Sequence, residues 1–82
     1  MAKYDPLEVH LREVDQAHLD MKFETIESII GDALPASARI YREWWSNEVI
    51  GTHVQAHAWV RAGWSVKSVN LESGRVAFTR DL

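Results

Sequence analysis

Eighty-two residues, 46% hydrophobic and 26% charged, are those of an ordinary globular chain, and residues 1–82 are expected to form a single compact domain. Its stability margin is thin, because a chain this short buries only roughly 60% of its unfolded surface. The lack of cysteine excludes disulfides, thiolate metal sites and cysteine nucleophiles, while a net charge of −3, no signal-peptide-like apolar run and no ~20-residue apolar span lead us to expect a cytoplasmic protein that does not enter membranes.

Asp5-Pro6 opens the first predicted helix. Asp5 is placed to cap it, Pro6 suits the first helical position and Glu8 stands where a capping box has its acid. Leu7, Leu11 and Val14 recur at helical spacing, so the helix runs to about residue 15 with one apolar face. Leu19, Met21 and Phe23 alternate with Asp20 and Lys22, which predicts a short strand. In the run FETIESIIGDALP, Ile26, Ile29 and Ile30 share a helical face, Gly31 stops the helix in the left-handed conformation and Pro35 prevents its continuation. Another helix is predicted from residues 36–37, its apolar positions being Ala38, Ile40, Tyr41, Trp44 and Trp45, with Asn47 and Gly51 marking a loop.

Thr52 and Gln55 fit a capping box for a helix over about 53–62, which Gly63 ends. Its spacing turns Val54, Ala58 and Ala62 inward with Trp59 beside them, sets His53, Ala56, His57 and Val60 outward, and leaves Gln55 and Arg61 at the borders. Residues 64–71 and 75–80 read as two strands about Glu72-Ser73-Gly74, where glycine suits a positive φ. The fold expected from this order is α+β and winged-helix-like: three or four short helices on a small antiparallel sheet with a C-terminal β-hairpin. On that plan the last helix enters the major groove, with Gln55 reading adenine and Arg61 meeting guanine or phosphate, and Lys67 and Arg75 lie on the wing.

The stretch LPASARIYREWWSN, followed by QAHAWVRAGWSVKSVNLESGRVAFTR, resembles a small bacterial domain family of unknown function. That family has the pattern FxxIExIxG, LPxSARxxRxWWxN and QxxAWxxAGWxV, then VxFxR; here Phe23, Glu27, Gly31, Pro35, Ser37, Arg39, Arg42, Trp44, Trp45, Asn47, Gln55, Trp59, Gly63, Trp64, Phe78 and Arg80 fit it. The chain departs from the pattern at Lys22, where members have a threonine or serine cap, and at Ala56-His57, near an arginine of the family. The resemblance implies a compact stand-alone module of winged-helix-like form and carries no activity.

No catalytic constellation stands out. His53 and His57 share a helix face, but Gln55 replaces the glutamate of a zinc-protease motif and no cysteine completes a site. Ser37, Ser46 and Ser65 lie in turn, cap or strand contexts, there is no glycine-rich phosphate loop, and Glu24 and Glu27 read as a solvated helical face. We therefore expect a non-enzyme without metal or cofactor. The binding candidates are Arg39 and Arg42, one helical turn apart, with Trp45, Asn47, Gln55, His57, Arg61, Lys67 and Arg75. Trp59 and Trp64 are expected in the core; of the adjacent pair Trp44 and Trp45 only one can point inward on a regular helix, leaving the other as an interface anchor.

Residues 1–35 carry three basic and eight acidic side chains, a net −5, and residues 36–82 carry six basic and four acidic, a net +2. This polarity can orient the chain on a polyanion, although DNA-binding domains usually have a pI above about 9 and here it is about 5.7. The leading expectation is a small winged-helix DNA-binding regulator. The alternative is a protein-binding inhibitor, of a phage or mobile-element anti-defence (anti-CRISPR) kind or antitoxin-like, acting through the Trp/Arg surface. A homodimer joined by that surface is the third.

Overall fold

A computed structural model describes residues 2–48 and 54–81. Helix α1 (Asp5–Glu13) turns Leu7 and Leu11 into the core. Asp5 is not its cap: Tyr4 holds the cap position without a side-chain bond, and the Asp5 carboxylate, inside the first turn, accepts from the Ala2 N–H at 3.0 Å. Strand β1 (His18–Lys22) leads directly into α2 (Phe23–Ile30), so Phe23 opens the helix and does not close the strand. Gly31 ends α2 at φ 72°, and its N–H and that of Asp32 both donate to Glu27 O.

The expected long helix after Pro35 is instead α3 (Ala36–Ile40), an extended Tyr41, and a 3₁₀ turn over Arg42–Trp45. The break re-aims the chain. Ile40 and Tyr41, expected on the apolar face, are 61% and 58% exposed, and only Ala38 and Trp45 of that face are buried. Helix α4 (Ala56–Val60) is shorter than expected, and its expected start at Thr52-His53 lies outside the described residues. Val54 points outward, whereas Gln55 and Ala56 are buried, reversing the sides expected for Val54 and Ala56. Gly63, at φ 86°, closes α4, with Trp64 N donating to Trp59 O at 2.8 Å.

Strands β2 (Ser65–Asn70) and β3 (Arg75–Thr79) form the C-terminal hairpin, with Gly74 at φ 67° in its turn. The sheet is antiparallel in the order β1-β3-β2, and Lys67 is the extra residue of a bulge between Val66 and Ser68. The architecture is thus small and α+β, with helices packed on one face of a three-stranded antiparallel sheet. Leu19, Met21, Val66, Val69, Val76 and Phe78 face the helices; His18, Asp20, Lys22, Ser68, Asn70 and Arg75 face outward. Among the described residues, no helix is long and apolar enough to cross a membrane.

The ladder fixes which backbone groups each edge exposes. Phe23 N donates to Gly74 O and Arg80 N to Ala17 O, extending the β1–β3 pairing at both ends. Bonded and non-bonded pairs alternate along an antiparallel ladder. Leu19 and Met21 therefore bond β3, while His18, Asp20 and Lys22 direct their N–H and C=O groups away from it. By the same alternation Val66 and Val69 of β2 point theirs off the opposite edge.

Candidate functional site

The tryptophans set the frame of the site. Trp45 is 2% exposed, stacked between Phe23 (centroids 4.9 Å, 16° between planes) and Trp59 (5.9 Å, 18°). Each buried indole N–H is satisfied, as a ring of this size requires. Trp45 Nε1 donates to Ala38 O (2.8 Å), Trp64 Nε1 to Leu11 O (2.9 Å) and Trp59 Nε1 to Asn47 Oδ1 (3.1 Å). Trp59 and Trp64 are core residues, as expected. Trp45 is no interface anchor; its neighbour Trp44 is the half-buried ring, edge-on to Trp45 at 4.7 Å and to Tyr4 at 5.9 Å. The tryptophan surface on which self-association was expected to rest is therefore largely interior.

The polar members of the same segment hold the fold together. Asn47 Oδ1 also accepts from Val66 N (2.7 Å), and Asn47 Nδ2 donates to Val66 O (3.1 Å). Arg42 Nη1 donates to Val69 O (2.7 Å). These two side chains therefore blunt the free edge of β2, occupying the Val66 N–H and C=O and the Val69 C=O that a further strand would use. Gln55, 5% exposed, donates from Nε2 to Trp44 O (2.8 Å) and cannot reach a base. Arg39 lies 5.5 Å over the Phe23 ring, 3.1 Å from Glu27 and 3.8 Å from Glu24.

Glu27 joins the α2–α3 connection. Its carboxylate accepts from Leu34 N at 2.7 Å, and that bond, with help from Arg39, holds its pKa below the usual carboxylate value despite the opposing effect of burial. Arg80 does comparable work at the other end of the sheet. It stacks 4.6 Å over Trp64, and its guanidinium donates to Gln16 O and Val14 O.

Cations stand around the hairpin-turn end of the sheet, Arg39 on its helix side and Arg75 on its outer face. An added Cβ at Gly74 would lie 3.6 Å from the Phe23 ring and 3.9 Å from the Glu24 carboxylate, so the turn adjoins the groups that hold Arg39. Arg42 sits on Val69 at the β2 side of this turn and Arg75 begins β3 just after it. Arg75 pairs with Asp20 at 3.9 Å and stands directly across from Lys22. Ile40 and Tyr41 project beside Arg39 and Arg42.

The profile of a domain of unknown function, DUF7662, matches residues 4–81. The chain belongs to the DUF7662 family. No curated protein and no solved structure matches it.

The remaining candidates of this DUF7662 domain lie away from that end of the sheet. Lys67 lines a shallow depression on the outer sheet face with His18, Asp20 and Ala77. His57 and Arg61 line a cleft of about 290 Å³ between α1 and α4, with Tyr4, Val54 and Ala58 on its apolar wall and Lys3, Asp5 and Glu8 at its rim. Arg12, paired with Glu8 at 2.9 Å, donates to Arg61 O at 3.0 Å and ties the two helices together. His53 lies outside the described residues, and among those described no group of three or more His, Asp or Glu side chains is placed to hold a metal ion. Lys22, Ile40 and Tyr41 were missed as surface candidates: the sequence pattern assigned all three to regular elements and could not reveal the break at Tyr41.

Proposed function

We propose that this domain is a non-enzymatic DNA-binding module of the winged-helix type. The observation that carries the reading is the placement of Arg39, Arg42 and Arg75 around the hairpin-turn end of the sheet, with the outward Ile40 and Tyr41 beside the first two in the chain. The chain order, with α2, α3, a 3₁₀ turn and α4 between β1 and a closing hairpin whose second strand is central, is the order such domains use with one helix more. In this reading α3, not α4, is presented to the duplex, because α4 turns Gln55, Ala56, Ala58 and Trp59 into the core. Arg39–Glu24 and Arg75–Asp20 are long, exposed pairs at 3.8 and 3.9 Å; pairs of that kind contribute about 0–1 kcal/mol, so a phosphate can displace the carboxylate.

With three arginines on the phosphates, log K should fall against log salt with a slope of about −3. Anisotropy of a labelled duplex from about 50 to about 200 mM salt tests this, and Arg75→Ala should reduce the slope by about one. Absence of binding at the lowest salt sinks the proposal.

A second reading is a protein-binding module, in the inhibitor or antitoxin-like sense. The α1–α4 cleft supports it, with its apolar wall, mixed-charge rim and the exposed Val9 nearby. A tagged chain carrying Val54→Asp that captures the same host protein as the unmodified chain would refute it.

A further inference from the structure

We infer that β1 is the docking edge for a second copy of this chain, the two β1 strands pairing antiparallel about a two-fold axis at Met21. The two edges of the sheet are treated differently. Arg42 and Asn47 occupy the outward N–H and C=O of Val66 and the C=O of Val69 on β2. On β1, the outward groups of His18 and Asp20 and the N–H of Lys22 have no bonding partner among the described residues, while the Lys22 C=O, at the N-cap of α2, accepts that helix's first N–H; all three side chains are exposed. Natural proteins usually blunt or cover such an edge, since it is a template for another strand.

The charges along β1 select the occupant. Lys22 lies directly opposite Arg75, and like charges in that position repel. Asp20 is drawn to Arg75, and no carboxylate among the described residues lies within ion-pair distance of Lys22. A two-fold axis at Asp20 would set that carboxylate against itself. An axis at Leu19 would set His18 against Asp20 and leave Lys22 beyond the charged pairing. An axis at Met21 places Asp20 of each copy opposite Lys22 of the other. The Lys22 N–H of each copy can then donate to the Asp20 C=O of the other, and the Asp20 N–H faces the second lone pair of the Lys22 carbonyl. Phe23, opposite Leu19 in this register, still follows the ladder through its bond to Gly74.

The assembly closes on itself, because the contact is isologous and the two edges left are the β2 strands that Arg42 and Asn47 blunt. It is also small. An interface confined to one short edge falls below the ~1,200 Å² of stable complexes, so association belongs to high concentration. The inference stands apart from the DNA reading and does not need it.

Sedimentation equilibrium from about 10 µM to about 1 mM, a range suited to so small an interface, tests it. The unmodified chain should move toward twice its mass as concentration rises. Asp20→Pro removes one outward N–H and none of the bonds to β3, and should stay monomeric with an unchanged circular dichroism spectrum. Asp20→Lys and Lys22→Asp should each stay monomeric alone and should associate when mixed, since each then supplies the charge the other lacks. A chain that is monomeric throughout, an Asp20→Pro variant that associates like the parent, or a mixture no heavier than its components overturns the inference.

Discussion

Asn47→Ala should be among the most damaging changes available at a surface position. The side chain is exposed, yet its amide accepts from Trp59 Nε1 and Val66 N and donates to Val66 O. Trp59 is fully buried, so its N–H would lose its partner without gaining water, at about 1–3 kcal/mol. The Val66 groups lie on a sheet edge that water can reach, so each lost bond there costs the smaller net value of about 0.5–1.5 kcal/mol. Together these come to about 2–6 kcal/mol, against roughly 4–12 kcal/mol for a domain of this length. The lower half of that range lowers Tm by about 8–30 °C. Asn47→Asp keeps an acceptor for both N–H donors and loses only the bond to Val66 O, where it sets a charge against a carbonyl, so its loss should be about 1–2 kcal/mol. Urea unfolding followed by tryptophan fluorescence measures both. A loss below about 1 kcal/mol for alanine, or an aspartate variant as weak as alanine, would show that the amide is not acting as this clamp.

Glu27 has its folded pKa depressed, so its stabilisation is complete above the unfolded carboxylate value of about 4.3 and is lost as pH falls through the lower folded value. Urea midpoints between neutral and acid pH should fall more steeply in that window for the parent than for Glu27→Gln, with the variant weaker at pH 7; parallel curves would contradict the assignment. Trp45→Ala should cost about 3–5 kcal/mol and Trp44→Ala clearly less, because only the first ring is fully enclosed; equal losses in chemical unfolding would refute the burial argument. Gly63→Ala should cost about 1–2 kcal/mol, although nothing lies within 4 Å of an added Cβ, because the cost is in the backbone at φ 86°. A Tm unchanged from the parent would remove the claim.

Elements whose signals are local were legible in the sequence. Gly31 with Pro35 marked the end of α2, and Gly74 marked the hairpin turn, because a positive φ or a missing N–H acts within a few residues. The break at Tyr41 was hidden. Ile40, Tyr41, Trp44 and Trp45 fit a continuous helix face, and only the docking of Trp45 between Phe23 and Trp59 requires the chain to turn. The same limit applied to the candidate site. Arginine, asparagine and glutamine beside tryptophans look like a recognition surface until their partners are known. Those of Arg42 and Gln55 are carbonyls 27 and 11 residues away in the chain, and no pattern in the sequence encodes such pairings. The reversal of Val54 and Ala56 had the same origin, since α4 begins later than the Thr52–Gln55 spacing implied.

The stack of Phe23, Trp45 and Trp59 gives the molecule an optical signature. Two near-parallel indoles held 5.9 Å apart, in a chain without disulfides, should produce a strong near-ultraviolet circular dichroism band. That band reports the seating of the 3₁₀ turn against α4, whereas the far-ultraviolet signal reports chiefly the backbone. A compact state that kept its helices and lost this packing would lose the first signal and retain the second. The protein therefore needs no added label to separate loosening of its aromatic centre from unfolding.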